Sequence, residues 1–244
     1  MEETILGGAL MSDQVLAQLL EDLRRGRFAQ ADRLPAELDL ARQMGVSRTV
    51  IRDAMAELER SGYIERVRGI GTVVNRDALT LRNRMDHKLE YYDMIQALGE
   101  TPHSDSLTVT RDSAKPLLAK SLGLQPGDPV IKLTKRVLAG NTPVLYSIDY
   151  MSPQLFGDNV PQDMDFNCNI FELLHSAGIQ VVSTVSHVKA SAGTVAIRNA
   201  LQLPPSEALL LLDEVAYTQL CKPVFHSYAY YTNFFDFSII RKKL

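Results

Sequence analysis

Apolar positions in the first sixty residues follow the 3.6-residue repeat of amphipathic helices. The first stripe is flanked by Ser12, a predicted N-cap, and by Gly26, a predicted stop, and consists of Val15, Leu16, Leu19, Leu20 and Leu23. A second helix is predicted to begin with Pro35 at its first position and to end at Gly45. Ser47 is the predicted N-cap of a third helix. The pattern therefore predicts three short helices, the last two joined by a tight turn.

The third predicted helix has one apolar and one basic face. At 100° per residue, an arc of about 140° collects Val50, Ile51, Ala54, Met55 and Leu58. The opposite arc collects Arg48, Thr49, Arg52, Asp53 and Arg60. Arg48 and Arg52 lie one turn apart and point the same way. An ordinary amphipathic helix with a solvated arginine face has the same pattern, so the flanking elements must decide between the two interpretations.

Two short strand patterns follow the third helix. They span 63–68 and 72–74, and Gly69-Ile70-Gly71 lies between them. Glycine permits positive φ and a close approach of the backbone to another surface, and Arg68 lies beside this tip. Two helices meeting at a glycine turn and followed by a hairpin are typical of a winged helix-turn-helix, so the pattern predicts binding to duplex DNA. The predicted contacts are Ser47, Arg48, Thr49, Arg52, Arg68, Gly69 and Gly71.

The remaining chain mixes strand and helix patterns without strict alternation. Residues 75–86 have little periodicity and are interpreted as a linker. Beyond it, helices are predicted at 87–98, 116–122, 170–176 and 194–201, and strands at 106–111, 130–138, 144–151, 181–190, 209–219 and 224–231. Gly140-Asn141 is the predicted turn of a hairpin. This order predicts an α+β domain with an antiparallel sheet.

Composition and charge narrow the functional classes. The chain has 244 residues, enough for two domains, and no apolar run reaches the ~18 residues that cross a bilayer. We expect no secretory signal and a cytoplasmic protein, with Cys168 and Cys221 as small apolar fillers. The net charge is -3, yet residues 42–76 hold seven arginines and four acids, a local +3. Binding to DNA depends on local potential, so the overall charge does not exclude it.

The 34–74 segment resembles the winged helix-turn-helix of GntR-type bacterial transcription regulators. The matching pieces are Leu34-Pro35-Ala36-Glu37, Gly45-Val46-Ser47-Arg48-Thr49, Arg52, Gly62-Tyr63-Ile64 and Gly69-Ile70-Gly71-Thr72. The family often has a DNA-contacting arginine directly after the glutamate of this first piece. Here Leu38 stands at that position, so the resemblance implies one DNA contact fewer.

The second part resembles the UTRA effector domain of the HutC branch of the same family. The matching pieces are 122–130, Thr142-Pro143-Val144, Leu203-Pro204-Pro205, Pro223-Val224, Ser227 and Tyr230-Tyr231. The resemblance implies a chorismate-lyase-like fold that binds a small metabolite and forms a homodimer. The predicted organisation is a DNA-binding domain over 1–74, a linker over 75–86 and an effector domain over 87–244.

The resemblance also implies effector contacts. Arg136 matches a residue that holds an anionic group of the effector in relatives. The other matched positions are Tyr92, Ser147, Asn169, Phe225, Tyr231 and Asn233, several of which replace charged family residues. The hypothesis is an effector with at most one anionic group, stacked on tyrosine or phenylalanine rings. Core packing is the alternative role for each of these aromatic residues.

The combined prediction is a ligand-responsive transcription regulator, most simply a repressor, that binds a palindromic operator as a homodimer. Two alternatives stay open: an enzyme of the lyase-like fold with a DNA-binding module, and an architectural DNA binder without a ligand. No catalytic residue, cofactor or metal is predicted, because the histidines lack HxxxH spacing, the Gly69–Gly71 tip lacks a third glycine and no GxSxG segment occurs. No membrane partner is expected.

Overall fold

A computed structural model describes residues 2–86, 90–156 and 169–242, with the backbone alone for 2–10. The chain divides into two compact units, 1–86 with 238–244 and 87–237. Cys168 and residues 87–89, the first three of the helix predicted at 87–98, lie outside the described residues. No described helix has the length and apolar character needed to cross a membrane.

The first unit opens with three helices and a small antiparallel sheet. Its elements are α1 (Glu2–Arg24), β1 (Arg33–Leu34), α2 (Glu37–Met44), α3 (Arg48–Arg60), β2 (Ile64–Val67) and β3 (Gly71–Val74), and the sheet order is β1-β3-β2. The apolar stripes of the three helices meet in one core, in which Leu19, Leu40, Ile51 and Leu58 are fully buried. The predicted helix-turn-helix and hairpin are therefore present, and Gly45 closes α2 with φ 66°.

Two predicted helix starts differ from the structure. Helix α1 begins ten residues before Ser12, which lies within the helix. Helix α2 begins at Glu37 with Ala36 as its N-cap, so Pro35 precedes the helix instead of opening it. Ser47 does cap α3, since its side chain accepts a hydrogen bond from the Val50 amide.

The segment predicted as a linker contains regular structure. Asn75 caps the short helix α4 (Arg76–Thr80), and its carboxamide oxygen accepts from the Ala78 amide at 3.2 Å. Strands β4 (Asn83–Arg84) and β11 (Phe237–Ser238) then form a two-stranded sheet. The tail after β11 returns to the first unit, where Ile240 packs against its core. The composition of residues 75–86 did not indicate strand β4, because β4 pairs with β11, which is far away in the sequence.

The described residues of the second unit form a six-stranded antiparallel sheet with four α-helices, the α+β architecture that was predicted. The strands are β5 (Pro102–Ser113), β6 (Pro129–Ala139), β7 (Thr142–Met151), β8 (Val181–Ser191), β9 (Leu209–Thr218) and β10 (Pro223–Tyr231), in the order β5-β6-β7-β10-β9-β8. The helices are α5 (Tyr91–Ala97), α6 (Pro116–Leu122), α7 (Ile170–Ser176) and α8 (Val195–Ala200).

The helices pack in pairs on opposite faces of this sheet. Helices α5 and α7 cover the face of Leu145 and Met151 on β7. Helices α6 and α8 pack near Tyr150 and Tyr146, which point the other way from the same strand. Alternate residues of a strand point to opposite faces, so the register fixes which side chains share each face.

A series of hydrogen bonds joins α6 to the sheet face on which α6 and α8 pack. Ser121 Oγ lies 2.7 Å from His226 Nδ1, and His226 Nε2 lies 2.7 Å from Asp213 Oδ1. Burial would raise the pKa of the Asp213 carboxyl, but hydrogen bonds from Lys189 and His226 hold it below its ordinary value. The Ser121 hydroxyl also contacts the Leu118 carbonyl oxygen of its own helix at 2.9 Å. These bonds fix α6 against β9 and β10.

Candidate DNA-binding surface and effector site

The start of α3 presents the predicted DNA contacts to solvent. Arg48, Thr49 and Arg52 are exposed on the first turns of the helix, opposite the buried side chains of Ile51 and Met55. The Ser47 cap satisfies one amide at this helix end. A rigid helix therefore holds both arginines on one accessible face.

A network of ion pairs orients Arg48 and joins it to Arg66 of the hairpin. Glu37 Oε2 accepts from Arg48 Nε at 3.2 Å, and Glu37 Oε1 lies 3.5 Å from Arg66 Nη1. Arg66 also donates to Glu59 through its Nε and its backbone amide, both at 2.9 Å. The network joins α2, α3 and β2, so the glutamate of the Leu34–Glu37 piece positions Arg48 and the hairpin together.

The wing has an exposed, glycine-flanked tip. Gly69 and Gly71 have φ of 78° and 106°, a region that side chains with a Cβ rarely adopt. Arg33 Nη1 on β1 donates to the Ile70 carbonyl at 3.2 Å, which holds the tip to the sheet. Arg68 is exposed beside it. Sequence reasoning missed Arg33, because a two-residue strand leaves no periodic signal.

Within the described part of the chain, no carboxylate lies within ion-pairing distance of Arg52 or Arg68. Both cations can therefore meet phosphates without first breaking an internal pair. Leu38, at the start of α2, has 49% of its surface exposed. The position at which the resemblance leads us to expect an arginine thus faces solvent here but has no charge.

A band of polar side chains crosses the sheet face beneath α5 and α7. Lys135 on β6 pairs with Ser147, and the neighbouring row runs from Asp149 through Ser227 and Glu214 to Ser186. We call these six residues the polar band. Lys135 is only 1% exposed, Asp149 5% and Glu214 7%. Ser147 Oγ donates to Asp149 Oδ2 at 3.1 Å, and Ser186 Oγ donates to Glu214 Oε2.

Apolar clusters flank the polar band on both sides. On one side, Tyr231 packs with residues of α5, and Phe235 and Phe237 meet its ring edge to face at 5.1 and 5.0 Å. On the other side, Phe225 packs against α7, and its ring meets Phe171 at 5.5 Å. Burial raises the pKa of Tyr91 and of Tyr231, and nearby carboxylates, including Asp149 and Glu90, raise both further.

An open cavity of about 500 Å³ lies between α5 and α7. We call it the α5–α7 groove; its lining is Glu90, Tyr92, Asp93, Gln96, Asn169, Phe171, Glu172, His175 and Ser176. Asn169 Nδ2 donates to Glu90 Oε2 at 2.8 Å, which joins the ends of the two helices. A cavity of this size accommodates a small metabolite.

The structure brings most of the predicted effector residues to this face. Tyr92 and Asn169 line the α5–α7 groove, Ser147 belongs to the polar band, and Phe225 and Tyr231 belong to the flanking clusters. Asn233 is exposed beyond the end of β10 and does not line the groove. It follows that five of the seven positions converge beneath the two helices.

Arg136 does not belong to this site. Its guanidinium donates to both oxygens of Asp105, at 2.7 and 2.5 Å, and to the Ala200 carbonyl at 3.0 Å. Ala200 belongs to α8, on the opposite face of the sheet. The Asp105 pair raises the pKa of the guanidinium, and the hydrogen bond from Arg136 lowers the pKa of Asp105. Arg136 therefore lies on the opposite face of the sheet from the α5–α7 groove, and its contact to an anionic effector group stays a prediction that this groove does not support.

Sequence reasoning missed the charged members of the site. Lys135 and Asp149 each lie on a strand whose alternate residues are mostly apolar and buried, and Glu214 alternates with the apolar Leu210, Leu212 and Ala216 of β9. A charged residue in phase with the buried positions of a strand is the signal that would have identified them. Glu90 had no such signal, because it precedes the first turn of α5.

The two units define a class of protein: a transcription regulator in which a DNA-binding helix-turn-helix is joined to an effector-binding domain. Residues 11–74 match the bacterial regulatory proteins of the gntR family, and residues 97–233 match the UTRA domain. The chain belongs to the GntR family and has the HutC-like architecture. It is a regulator and not an enzyme.

Similar proteins agree with this assignment. The HTH-type transcriptional regulator Rv0792c of Mycobacterium tuberculosis is 24% identical over 230 residues, covering 90% of this chain and 82% of the relative. The HTH-type transcriptional repressor NagR of Bacillus subtilis is 23% identical, covering 84% of each. The crystal structure of PhnF from Mycobacterium smegmatis, 24% identical, has a TM-score of 0.61 and covers 93% of this chain and 99% of its own, which shows a shared fold.

Proposed function

We propose that this regulator is a cytoplasmic repressor that binds a palindromic operator as a homodimer and changes its operator affinity when a small metabolite binds beneath α5 and α7. DNA binding is supported by Arg52, which is exposed beside Arg48 at the start of α3 and has no carboxylate within ion-pairing distance among the described residues. Binding of a metabolite is supported by the α5–α7 groove, on the face of the sheet that carries the buried polar band.

The proposed DNA contacts follow from the geometry of the first unit. The first turns of α3 enter the major groove, where Arg48 and Arg52 reach guanine edges or phosphates and Thr49 reaches a phosphate or thymine methyl. The amide-rich end of α3 at Ser47 favours a phosphate. Arg68 and the Gly69–Gly71 tip contact the minor groove or the phosphates beside it.

Repression is proposed from the name of a relative, and dimerisation from the resemblance of the second unit to UTRA domains. A two-fold dimer presents two α3 helices to half-sites about one helical turn apart, which requires a palindromic operator. NagR is named a repressor, which supports the same direction of control here. A ligand that binds the operator-bound protein and the free protein with different affinities changes the affinity for the operator. Two binding sites on one protein are thermodynamically linked in this way.

Fluorescence anisotropy on duplex DNA from upstream of the chain's own gene tests the DNA contacts. Arg48→Ala and Arg52→Ala should each cost about 1–3 kcal/mol of specific binding and leave the fold unchanged. Arg60→Ala is the matched control, since Arg60 is exposed at the far end of the same helix. Wild-type affinity in a folded Arg48→Ala, Arg52→Ala double variant would refute the proposed surface.

A further inference from the structure

Residues 239–242, which we call the strap, pack against the end of α3. Ile240 is half-buried against the core of the first unit, and a Cβ atom on Gly62 would lie 2.9 Å from its Cγ2 atom. Gly62 directly follows Ser61, the C-cap of α3, and precedes the buried Tyr63. A side chain that is distant in sequence therefore closes the turn between α3 and the hairpin.

Lys242 holds the same helix end through its charge. Its Nζ donates to the carbonyl oxygen of Glu59, in the last turn of α3. The last carbonyl oxygens of a helix lack partners within the helix and carry its partial negative charge, so an ammonium group is favourable there. The strap thus contacts α3 through one apolar and one charged side chain.

The side chain of Glu59 connects this helix end to Arg48. Its carboxylate accepts from Arg66 Nε at 2.9 Å. Arg66 Nη1 lies 3.5 Å from Glu37, and Glu37 accepts from Arg48. Because Glu59 belongs to the last turn of α3, whatever holds that turn also bears on the geometry of Arg48.

The strap is continuous in sequence with an aromatic cluster of the second unit. The rings of Phe235 and Phe237 meet the ring of Tyr231, and we call these three residues the Tyr231 cluster. The cluster packs with residues of α5, the helix on one side of the α5–α7 groove. Only two residues separate Phe237 from Ile240. So short a stretch of backbone can absorb little displacement between the two side chains.

We propose that the strap positions the end of α3 for operator binding, so that operator affinity depends on Ile240 and Lys242 and on the state of the Tyr231 cluster. This inference rests on the proposed function, in which α3 reads the operator. Ile240 fixes the turn after the helix, and Lys242 fixes its last turn. A change in the packing of Phe237 displaces the strap and, with it, the helix that carries Arg48.

Hydrogen exchange and DNA binding by the full-length protein test the positioning role. Ile240→Ala should speed amide exchange over 57–66 and weaken binding of the upstream duplex about fivefold. Binding of random duplex DNA should stay unchanged, because it depends on charge rather than on side-chain geometry. Ile240→Val keeps most of the packing and should restore both properties. Ile239→Ala is the matched control, since Ile239 is 57% exposed in the same segment.

Lys242→Met separates positioning from direct contact with DNA. This variant should weaken operator binding and leave the slope of log affinity against log salt as in the wild type. Arg241→Met is the control, because Arg241 is the exposed neighbouring cation. A slope smaller by about 0.9 would show that Lys242 itself meets a phosphate and would overturn its positioning role.

A double-mutant cycle tests the connection to the Tyr231 cluster. Phe237→Ala should weaken operator binding, and adding Ile240→Ala should weaken it little further, because both changes act through one strap. Phe156→Ala is the control, since Phe156 packs in a different cluster of the second unit and should leave operator affinity unchanged. Additive losses in a folded double variant, or wild-type affinity in Phe237→Ala, would overturn the connection.

Operator binding by the wild type separates this inference from the proposed function. Specific binding by the wild type, matched by a folded Ile240→Ala variant, overturns the positioning role and leaves the proposed function intact. Weaker operator binding by Ile240→Ala with unchanged exchange over 57–66 overturns it as well, because α3 is then not held by the strap. A wild type that binds the upstream duplex no better than random DNA contradicts the proposed function and the inference that rests on it.

Discussion

Lys135 and Arg136 are neighbours in the chain but project from opposite faces of β6. Lys135 lies in the polar band beneath α5 and α7, while Arg136 is paired with Asp105 beside α8. A shift of one residue in a strand exchanges the faces of all its side chains. The resemblance assigned the effector contact to Arg136, but only the register decides which of the two neighbours faces the polar band.

The two residues should therefore differ in their effect on stability. Lys135→Ala removes a buried ammonium beside Asp149 and should cost about 2–4 kcal/mol. Arg136→Ala removes a partly exposed pair with Asp105 and should cost about 1 kcal/mol. Urea denaturation of both variants measures the difference, and equal losses would contradict the assignment of Lys135 to the buried face.

Leu38 offers a prediction about DNA binding. Its side chain is exposed at the start of α2, where the resemblance to GntR-type regulators leads us to expect an arginine. Leu38→Arg should add one phosphate contact, strengthen operator binding and steepen the dependence of log affinity on log salt by about 0.9. Leu38→Gln, a polar change without charge, is the control. An unchanged salt slope in Leu38→Arg would show that this position does not meet the DNA.

At the scale of elements, the longer strands and helices were predictable and the short ones were not. The predicted helix at 116–122 and the strands of the second unit occupy α6 and β5–β10 within a few residues, because alternation or helical spacing extends over seven residues or more. Strands β1, β4 and β11 contain two residues each, and pairing with distant segments creates them. No local pattern can indicate such pairing.

The cap of α3 is a local feature whose loss should be measurable. Ser47 Oγ accepts from the Val50 amide at 3.3 Å. Ser47→Ala leaves that amide without its partner and should lower the free energy of unfolding of the first unit by about 1 kcal/mol. Ser47→Asn keeps a capping oxygen and should restore most of the stability. Equal unfolding midpoints for the alanine variant and wild type would contradict the capping role.

The hydrogen bonds of Ser121, His226 and Asp213, which join α6 to the sheet, predict that the stability of the protein depends on pH. The folded-state pKa of Asp213 lies below the ordinary value of 3.8. Its stabilising contribution is therefore fully present above about pH 3.8 and is lost as the pH falls through the lower folded pKa. Asp213→Asn should flatten the loss of stability below pH 4, whereas the exposed Asp112→Asn should not. Parallel acid profiles for Asp213→Asn and wild type would contradict this assignment.

At the scale of the whole molecule, the two units divide recognition between them. The first unit carries the exposed basic face of α3 and the glycine tip of the wing, and the second carries the polar band and the α5–α7 groove. The helix-turn-helix was predictable because its turn, cap and arginine spacing are local. The candidate effector site was predictable only in part, because it is assembled from strands that are far apart in sequence.

Selection of binding sites from a random pool of duplex DNA by the full-length protein tests the central claim most directly. The account predicts one enriched sequence with two-fold symmetry and half-sites about one helical turn apart, bound by two chains. The Arg48→Ala, Arg52→Ala double variant should enrich nothing. Enrichment of no sequence by the wild type, or of the same sequence by the folded double variant, would contradict the account.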